Sequence, residues 1–288
     1  VPLIIEKVYY NKIKPTLTAS PVMGALYKFP PARKLLHRVA GKKLYETFGG
    51  NLKFFGIGGA KLNRDVERFL KEGGFPYAIG YGLTETAPVL AGMVPFNYKL
   101  QSTGTAVKDV TLKINEPDPK TGEGEIWAKG PNVMKGYYKE PGLTSQVITE
   151  DGWFRTGDLG VFDKDSFLFI KGRLKNVIVG ASGENIYPEE IESVINNFKH
   201  VVESLVVHKK GKLVALVHIN REELEARYQH MKDEMTRKVE ERMEEILKEL
   251  HEQVNARINK FSRLHKVVLQ PVPFQKTATL KIKRYLYY

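Results

Sequence analysis

The chain has 288 residues and no cysteine, which excludes disulfide bonds, thiolate metal sites and a cysteine nucleophile. Its 45 Lys and Arg outnumber its 33 Asp and Glu, giving a formal net charge of +12. No apolar run approaches the roughly 18 residues of a membrane span. The absence of cysteine fits a reducing cytoplasm, and the length allows one large domain or two ordinary ones.

The excess of basic residues is concentrated at the start of the chain. Residues 1–50 carry nine Lys or Arg against two acidic residues, in a pattern that predicts helices interrupted at Pro15, Pro21 and Pro30. Such a segment suits nucleic acid, an anionic membrane surface or small polyanions. We find neither a helix-turn-helix signature nor an aromatic ribonucleoprotein motif. We therefore expect no nucleic acid partner, and peripheral membrane contact and small anions stay open.

A strand–helix–strand unit is predicted between residues 52 and 81. A buried strand over 52–57 leads into a glycine-rich turn, a helix follows an Asn63 cap, and residues 75–81 form the returning strand. The segment 81–86 (YGLTET) and the glycine-rich turn then lie at the carboxyl ends of adjacent parallel strands, where open α/β sheets bind ligands. The hydroxyl of Thr84, the carboxylate of Glu85 and nearby glycines suit a nucleotide and its Mg²⁺. Taken alone, the segment fits a plain turn equally well.

The pattern changes twice after this unit. Residues 104–173 alternate in short strands separated by turn residues, which predicts a small barrel or sandwich. After residue 174 we expect a compact α+β domain, with a turn at 181–184, a helix opened by Pro188 and a hairpin formed by 201–207 and 213–219. The predicted domains are therefore 1–174 and 175–288.

Residues 221–262 contain neither Gly nor Pro and are dense in charged residues. Apolar residues recur there at steps of three or four, which predicts a long amphipathic helix, in one or two pieces, packed on the small domain. A coiled-coil contact in a homodimer is the alternative, because the stripe nearly follows heptads. The stripe consists of Leu224, Tyr228, Met231, Met235, Val239, Met243, Leu247, Leu250, Val254, Ile258 and Phe261.

Five segments in this order resemble the acyl-adenylate-forming enzymes, the superfamily of acyl-CoA synthetases, luciferases and peptide-synthetase adenylation domains. They are 81–86 (YGLTET), 124–137 (GEIWAKG leading to GY), 153–160 (WFRTGDLG), 171–192 (KGRLK leading to GENIYPEEIE) and 279–284 (TLKIKR). The closest resemblance is to bacterial long-chain fatty-acyl-CoA synthetases. It implies an α/β plus α+β fold, in which the rear part of the large adenylate-forming domain precedes a small C-terminal lid domain.

The resemblance also implies roles in forming an acyl-adenylate from a fatty acid and ATP. Thr84 would hydrogen-bond the α-phosphate, and Glu85 would hold Mg²⁺. Tyr81 and Gly82 would lie in the nucleotide site, with the Tyr81 ring against adenine. The opposite wall of the adenine site would be formed by Gly59 and Ala60.

Three further residues complete this implied site. Asp158 would accept hydrogen bonds from the ribose hydroxyls, and Arg173 would reach the ribose or a phosphate. Lys281 would bridge the substrate carboxylate and the α-phosphate. Without the resemblance, Asp158 could shape a turn, Arg173 could form a surface salt bridge, and Lys281 could belong to a basic tail.

The second half-reaction would transfer the acyl group to CoA after the small domain has reoriented. Gly183 would let the pantetheine arm pass close to the backbone, and Lys175 would be the hinge. The expected enzyme is thus a long-chain-fatty-acid–CoA ligase. The alternatives are a fatty-acyl-AMP ligase that uses a carrier protein, and a non-catalytic nucleotide- or CoA-binding module.

One element of the family pattern has no counterpart in the sequence. These enzymes carry, well before the YGLTET segment, a Ser/Thr/Gly-rich loop ending in Lys that holds the β- and γ-phosphates. The chain also opens abruptly, without methionine, in the apolar run that begins at Val1. We therefore expect the front part of the large domain to be missing, and this fragment alone to be inactive as a ligase.

Overall fold

The computed structural model describes residues 2–180, 183–228, 234–277 and 281–288. These residues form two compact units, Val1–Lys171 and Gly172–Tyr288, called the first and the second unit below. The predicted domain limits, 1–174 and 175–288, stay a prediction, because a compact unit is defined by packing and a domain by independent folding. Among the described residues, no helix is both long enough and apolar enough to cross a bilayer.

The first unit begins with helices, as predicted. They are α1 (Pro2–Val8), a π-helical turn (Tyr9–Ile13), α2 (Lys14–Leu17), α3 (Pro21–Lys28) and α4 (Pro30–Thr47). The prolines open helices because an amide is dispensable in the first turn. Ser20 caps α3 by accepting a hydrogen bond of 3.2 Å from the Met23 amide.

The predicted strand–helix–strand unit is confirmed. It consists of β1 (Phe55–Ile57), α5 (Arg64–Glu72) and β2 (Tyr77–Gly82), with the two strands parallel and adjacent. The Asn63 side chain caps α5 by accepting from the Asp65 amide at 2.8 Å. β1 is shorter than the predicted strand over 52–57. The pairing starts where Pro76, which has no amide to donate, accepts a hydrogen bond from Phe55.

Two four-stranded sheets contain the remaining strands of the first unit. β3 (Val89–Gly92) and β4 (Thr105–Ala106) extend the first sheet in the order β1-β2-β3-β4. β5 (Thr111–Asn115), β6 (Gly124–Lys129), β7 (Phe154–Phe162) and β8 (Leu168–Arg173) follow each other in the second sheet, and helix α6 (Pro141–Val147) lies between β6 and β7 in sequence. The short alternating strands expected over 104–173 are therefore present.

The second unit has the predicted α+β composition. Its elements are β9 (Ile178–Val179), β10 (Asn185–Ile186), α7 (Pro188–Ile195), β11 (Val201–Lys209), β12 (Lys212–Ile219), α8 (Arg221–Tyr228), α9 (Met235–Asn255), a 3₁₀ turn (Lys260–Ser262) and β13 (Lys266–Leu269). The hairpin β11–β12 is antiparallel, and β13 joins β12 in parallel. The tip of the β9–β10 turn, Ala181 and Ser182, lies outside the described residues.

The predicted helix over 221–262 extends too far at its C-terminal end. Helix α9 ends at Asn255, whose side chain accepts a 2.7 Å hydrogen bond from the Leu264 amide and donates one of 3.0 Å to the Leu264 carbonyl. This side chain turns the chain without any Gly or Pro, so the usual stop signals are absent from the sequence.

Most of the predicted apolar stripe packs inside the second unit. Its buried members are Leu224, Val239, Met243, Leu250 and Val254, which lie in one core with α7 and the β11–β12 hairpin. Phe261, in contrast, is 49% exposed, and Met231 lies outside the described residues. This packing supports the interpretation of the stripe as core, and the homodimer stays a prediction.

Candidate active site

The turn that follows β2 has a backbone that only glycine permits at its first position. A Cβ atom on Gly82 would lie 1.7 Å from the carbonyl oxygen of Pro88. The 3₁₀ turn Thr84–Thr86 follows, in which Thr86 is fully buried. The Thr86 hydroxyl accepts from the Leu83 amide at 3.0 Å and lies 2.8 Å from the Pro88 oxygen. Buried polar contacts thus fix the turn, while Thr84 is exposed.

A second segment, residues 132–137, holds this turn from the side. The Asn132 amide group donates to the carbonyls of Thr86 and Val89, at 2.8 Å each. The Met134 amide donates to the Glu85 carbonyl at 2.8 Å, and the Tyr137 hydroxyl donates to Glu85 Oε1 at 3.1 Å. Glu85 is therefore oriented through both its backbone and its carboxylate.

Sequence analysis placed Gly136–Tyr137 in a resembling segment without giving them a role, and it missed Asn132. No sequence signal identified these contacts, because they join segments more than forty residues apart. A side-chain amide that bonds two carbonyls has no local pattern of its own.

Tyr81 and Asp158 form the tightest polar contact of the predicted site. The Tyr81 hydroxyl donates to Asp158 Oδ2 at 2.7 Å, and Asp158 is only 7% exposed. Asp158 lies within strand β7 rather than in a turn, so its position does not support a turn-shaping role. The neighbouring Gly157 amide donates to Glu125 Oε1 at 3.0 Å, which holds the backbone at this point of the strand.

Gly59 and Ala60 follow Gly58 just after β1, at the same edge of the sheet at which Tyr81 and Gly82 end β2. The parallel register pairs Ile57 with Ile79, which places the two carboxyl ends side by side. Gly59 has a φ of +85° and open space where a side chain would be, and both residues are exposed. The first unit thus places Gly59 and Ala60 beside the end of β2, and the Tyr81 hydroxyl joins that end to Asp158 of β7.

The other predicted site residues belong to the second unit. Arg173 ends β8, Lys175 is exposed in the 3₁₀ turn Leu174–Asn176, and Gly183 is exposed with a φ of +84°. Lys281 is also exposed. Its backbone pairs with Thr277, whose amide donates to the Lys281 carbonyl at 2.8 Å. Thr279 and Leu280, which belong to the same segment of the sequence, lie outside the described residues.

The cationic side chains around Lys281 differ in their environment. Lys276 forms an ion pair with Glu203 at 2.5 Å, where Glu203 has a side-chain exposure of 11%. Arg284 pairs with Glu192 and lies 3.7 Å from Glu189. Two of the four cations of this segment therefore bind inward-facing carboxylates. This arrangement is unlike an ordinary solvated basic tail.

Glu192, a buried carboxyl of the second unit, has a raised pKa. Burial raises the pKa of Glu192 to about 7, and the positive charge of Arg284 together with a hydrogen bond from the Val206 amide opposes that rise. The Val206 amide lies 2.7 Å from Glu192 Oε1. The ion pair between Glu192 and Arg284, which holds the C-terminal segment, therefore depends on pH.

Glu85 could bind Mg²⁺ as a single protein carboxylate. Within the described parts of the chain, no three His, Cys, Asp or Glu side chains are grouped to hold a metal ion. A Mg²⁺ ion at Glu85 would therefore take its remaining ligands from phosphates and water. This is the usual arrangement for Mg²⁺, which often keeps several waters and binds through one or two carboxylates.

Comparison with known proteins places the chain in a class. The family described as AMP-binding enzyme matches residues 9–138, and the AMP-binding enzyme C-terminal domain matches residues 175–288. The chain belongs to the AMP-binding enzyme family. Its mixed sheets and two units agree with the fold expected from the sequence, and the solved structures it resembles are adenylate-forming enzymes.

Individual relatives include ligases for different acids. The chain is 35% identical to long-chain-fatty-acid–CoA ligase 1 of Saccharomyces cerevisiae, over 63% of this chain and 27% of that protein. It is 40% identical to a 2-succinylbenzoate–CoA ligase of Geobacillus kaustophilus, over 51% of this chain and 31% of that protein. Both relatives are CoA ligases, and their acids differ.

A solved structure is also similar to most of this chain. The o-succinylbenzoate coenzyme A synthetase of Bacillus subtilis in complex with AMP superimposes with a TM-score of 0.64 at 27% identity, over 87% of this chain and 49% of that one. The chain thus spans about half the length of this structure and less than a third of the two curated relatives.

Proposed function

We propose that this chain serves in the ATP-dependent conversion of a fatty acid to its acyl-CoA through an acyl-adenylate. The proposal rests on the buried carboxylate of Asp158, which accepts a 2.7 Å hydrogen bond from the Tyr81 hydroxyl. The exposed Thr84 and the half-buried Glu85 follow β2 shortly after this tyrosine. An ionised carboxylate suits the two hydroxyls of a ribose. The turn next to it offers a hydroxyl and a second carboxylate to phosphates.

In the first step, an oxygen of the fatty-acid carboxylate attacks the α-phosphorus of ATP. The new O–P bond forms as the bond to pyrophosphate breaks. Two anions meet in this step, so preorganised positive and hydrogen-bonding groups supply most of the catalysis. We assign the α-phosphate contact to Thr84, the Mg²⁺ contact to Glu85 and the bridging positive charge to Lys281. Bound Mg²⁺ would neutralise charge on the phosphates.

The adenosine contacts follow from the same geometry. The Tyr81 hydroxyl engages Asp158, which holds the tyrosine side chain in one orientation, and we assign its ring face to adenine. Gly59 and Ala60 present exposed backbone after the neighbouring strand, where a flat base meets no side chain beyond the Ala60 methyl. We assign Arg173 to the ribose or a phosphate.

In the second step, the CoA thiolate attacks the acyl carbonyl carbon and AMP leaves with the electron pair of the broken C–O bond. Gly183 supports this step, because its φ of +84° and the open space beside it leave backbone that a pantetheine arm can approach. Lys175 is proposed as the hinge that separates the two steps. The choice of a fatty acid as the substrate rests on the resemblance to long-chain fatty-acyl-CoA synthetases, because the relatives include ligases for other acids.

Nucleotide binding is the first test, and it uses this chain itself. We expect Asp158→Ala to weaken AMP binding in isothermal titration calorimetry roughly 10- to 100-fold, as expected for a hydrogen bond to a charged group. Asp165→Ala is the matched control, because Asp165 is exposed and pairs with Lys99 on the same unit. Equal AMP affinity in both variants would show that Asp158 does not bind the nucleotide.

The reaction itself is tested with the full-length protein. Hydroxamate formation from palmitate, laurate, 2-succinylbenzoate and 4-coumarate, with and without CoA, separates the acids and the acceptors. Preference for the two fatty acids with acyl-CoA as product supports the proposal. Formation of acyl-adenylate without transfer to CoA would identify a ligase whose acyl acceptor is a carrier protein. AMP binding without adenylate formation would identify a non-catalytic nucleotide-binding module.

A further inference from the structure

Helix α3 turns an apolar face outward. Val22, Ala25 and Leu26 lie at the spacing i, i+3, i+4 on this helix, the pattern of a helix face that is normally buried, and Phe29 follows as the extended residue between α3 and α4. Here the face is exposed: Val22 is 68%, Leu26 is 44% and Phe29 is 60% accessible. The opposite side of α3 faces the protein, where the Tyr27 hydroxyl lies 2.9 Å from His37 Nε2 on α4.

Helix α4 continues this outward face. Its inner side is fixed by three buried residues at helical spacing, His37, Gly41 and Leu44. A Cβ atom on Gly41 would lie 2.6 Å from the carbonyl oxygen of Gly73, so α4 packs closely against the end of α5 through that side. Leu35 and Val39 lie on the opposite side and are 63% and 56% exposed.

These apolar residues are surrounded by positive charge. Residues 20–47 contain six Lys or Arg and one acid, Glu46. Arg33 is paired with Glu72 through two hydrogen bonds, at 2.9 and 3.1 Å. The other five cationic side chains are exposed: Lys28, Lys34, Arg38, Lys42 and Lys43.

We propose that the hairpin surface, formed by Val22, Ala25, Leu26, Phe29, Leu35 and Val39, docks on an anionic lipid bilayer. Exposed apolar side chains flanked by Lys and Arg are the composition of helices that lie in a membrane interface. Each cation near an anionic leaflet adds about 1 kcal/mol of attraction. A second copy of this chain is disfavoured as the occupant, because it would bring an equally cationic face against this one. This inference does not depend on ligase activity.

Co-sedimentation of the 288-residue chain with lipid vesicles, without ATP or CoA, tests the proposal. We expect binding to vesicles of phosphatidylcholine with 30% phosphatidylglycerol, as the chosen probe, to fall steeply with salt. Binding to pure phosphatidylcholine should be at least tenfold weaker. Lys42→Glu should lower the partition coefficient on anionic vesicles by about fivefold or more, because it removes one attractive charge and adds a repulsive one. Phe29→Glu should lower it on the order of tenfold, because it removes a large apolar side chain.

Matched controls keep the result specific. Val272→Glu alters an apolar side chain that is 60% exposed in the second unit, and Lys210→Glu alters an exposed lysine there. Both should bind vesicles like the unaltered chain. None of the four altered side chains belongs to the main hydrophobic core of either unit, and circular dichroism melts check that each variant folds.

Three outcomes would overturn the proposal. They are the absence of vesicle binding, equal losses in the control variants, and a dimer in light scattering that Phe29→Glu dissociates. Vesicle binding must also persist in the full-length protein. Its loss there, with the hairpin surface protected from hydrogen exchange, would identify a protein segment as the occupant.

Discussion

The ion pair of Arg284 with Glu192 gives the most direct test of how the second unit holds the segment that carries Lys281. The two side chains are 15% and 10% exposed, and the Val206 amide also donates to Glu192. Arg284→Met keeps much of the side-chain volume and removes the charge. Breaking a buried pair by removing one partner costs about 3–5 kcal/mol, because the other charge stays buried without compensation. We expect this loss in the free energy of unfolding at pH 8.

The loss should shrink in acid. The pKa of Glu192 is raised to about 7 from an ordinary value of 4.5, so the protonated form is favoured by the fold. The stabilisation that comes from protonated Glu192 is complete below about pH 4.5 and is lost as the pH rises through 7. At pH 5.5 Glu192 is mostly neutral, and Arg284→Met should cost only about 1 kcal/mol, the value of an ordinary hydrogen bond.

Urea unfolding followed by far-ultraviolet circular dichroism at pH 5.5 and pH 8 measures both values. Lys283→Met is the matched control, since it removes the neighbouring positive charge, and we expect a change within about 0.5 kcal/mol. A cost for Arg284→Met that is the same at both pH values would refute the reasoning. So would a cost at pH 8 no larger than that of the control.

Three further predictions concern the proposed reaction and the turns of the site. In the full-length protein, Lys281→Ala should slow the proposed adenylate formation roughly 100- to 1000-fold and spare thioester formation from supplied acyl-adenylate. Lys283→Ala should change neither step much in single-turnover assays. Lys175→Pro fixes φ near −65° and should affect the two half-reactions unequally, and an equal loss of both would argue against a hinge. Gly82→Ala should prevent stable folding in thermal melts, because a carbonyl oxygen lies 1.7 Å from the new carbon, whereas Gly59→Ala should cost only about 1–2 kcal/mol for its left-handed φ.

The sequence predicted those elements whose signals are local. The Asn63 cap, the opening proline of α7 and the β11–β12 hairpin each depend on a few neighbouring residues, and all three are confirmed. The end of α9 was predicted wrongly because it depends on Asn255 reaching Leu264. A contact of this kind is decided by tertiary packing, which a pattern of Gly and Pro does not report.

The candidate site also has parts that the sequence predicts and parts that it does not. Glycine-rich turns and a Thr-Glu pair at strand ends are readable from residue types, and the strand–helix–strand unit places them as expected. The supports of these residues are not readable, because Asn132 and Tyr137 act from a distant segment. The roles of the site residues stay predictions, and the contacts of Lys281 with Thr277 and of Lys276 with Glu203 show only how the chain holds them.

The two carboxylates of the candidate site are held in different ways, and this difference matches the tasks proposed for them. Asp158 lies in a strand, is 7% exposed and is engaged by Tyr81, so its position varies little. Glu85 lies in a turn, and the Tyr137 hydroxyl that contacts it belongs to an exposed side chain. A ribose offers the same two hydroxyls throughout both half-reactions, which favours a rigid acceptor. The phosphates change when pyrophosphate leaves, and the Glu85 carboxylate can exchange the Tyr137 hydroxyl for a metal ion while the Met134 amide keeps the Glu85 backbone in place.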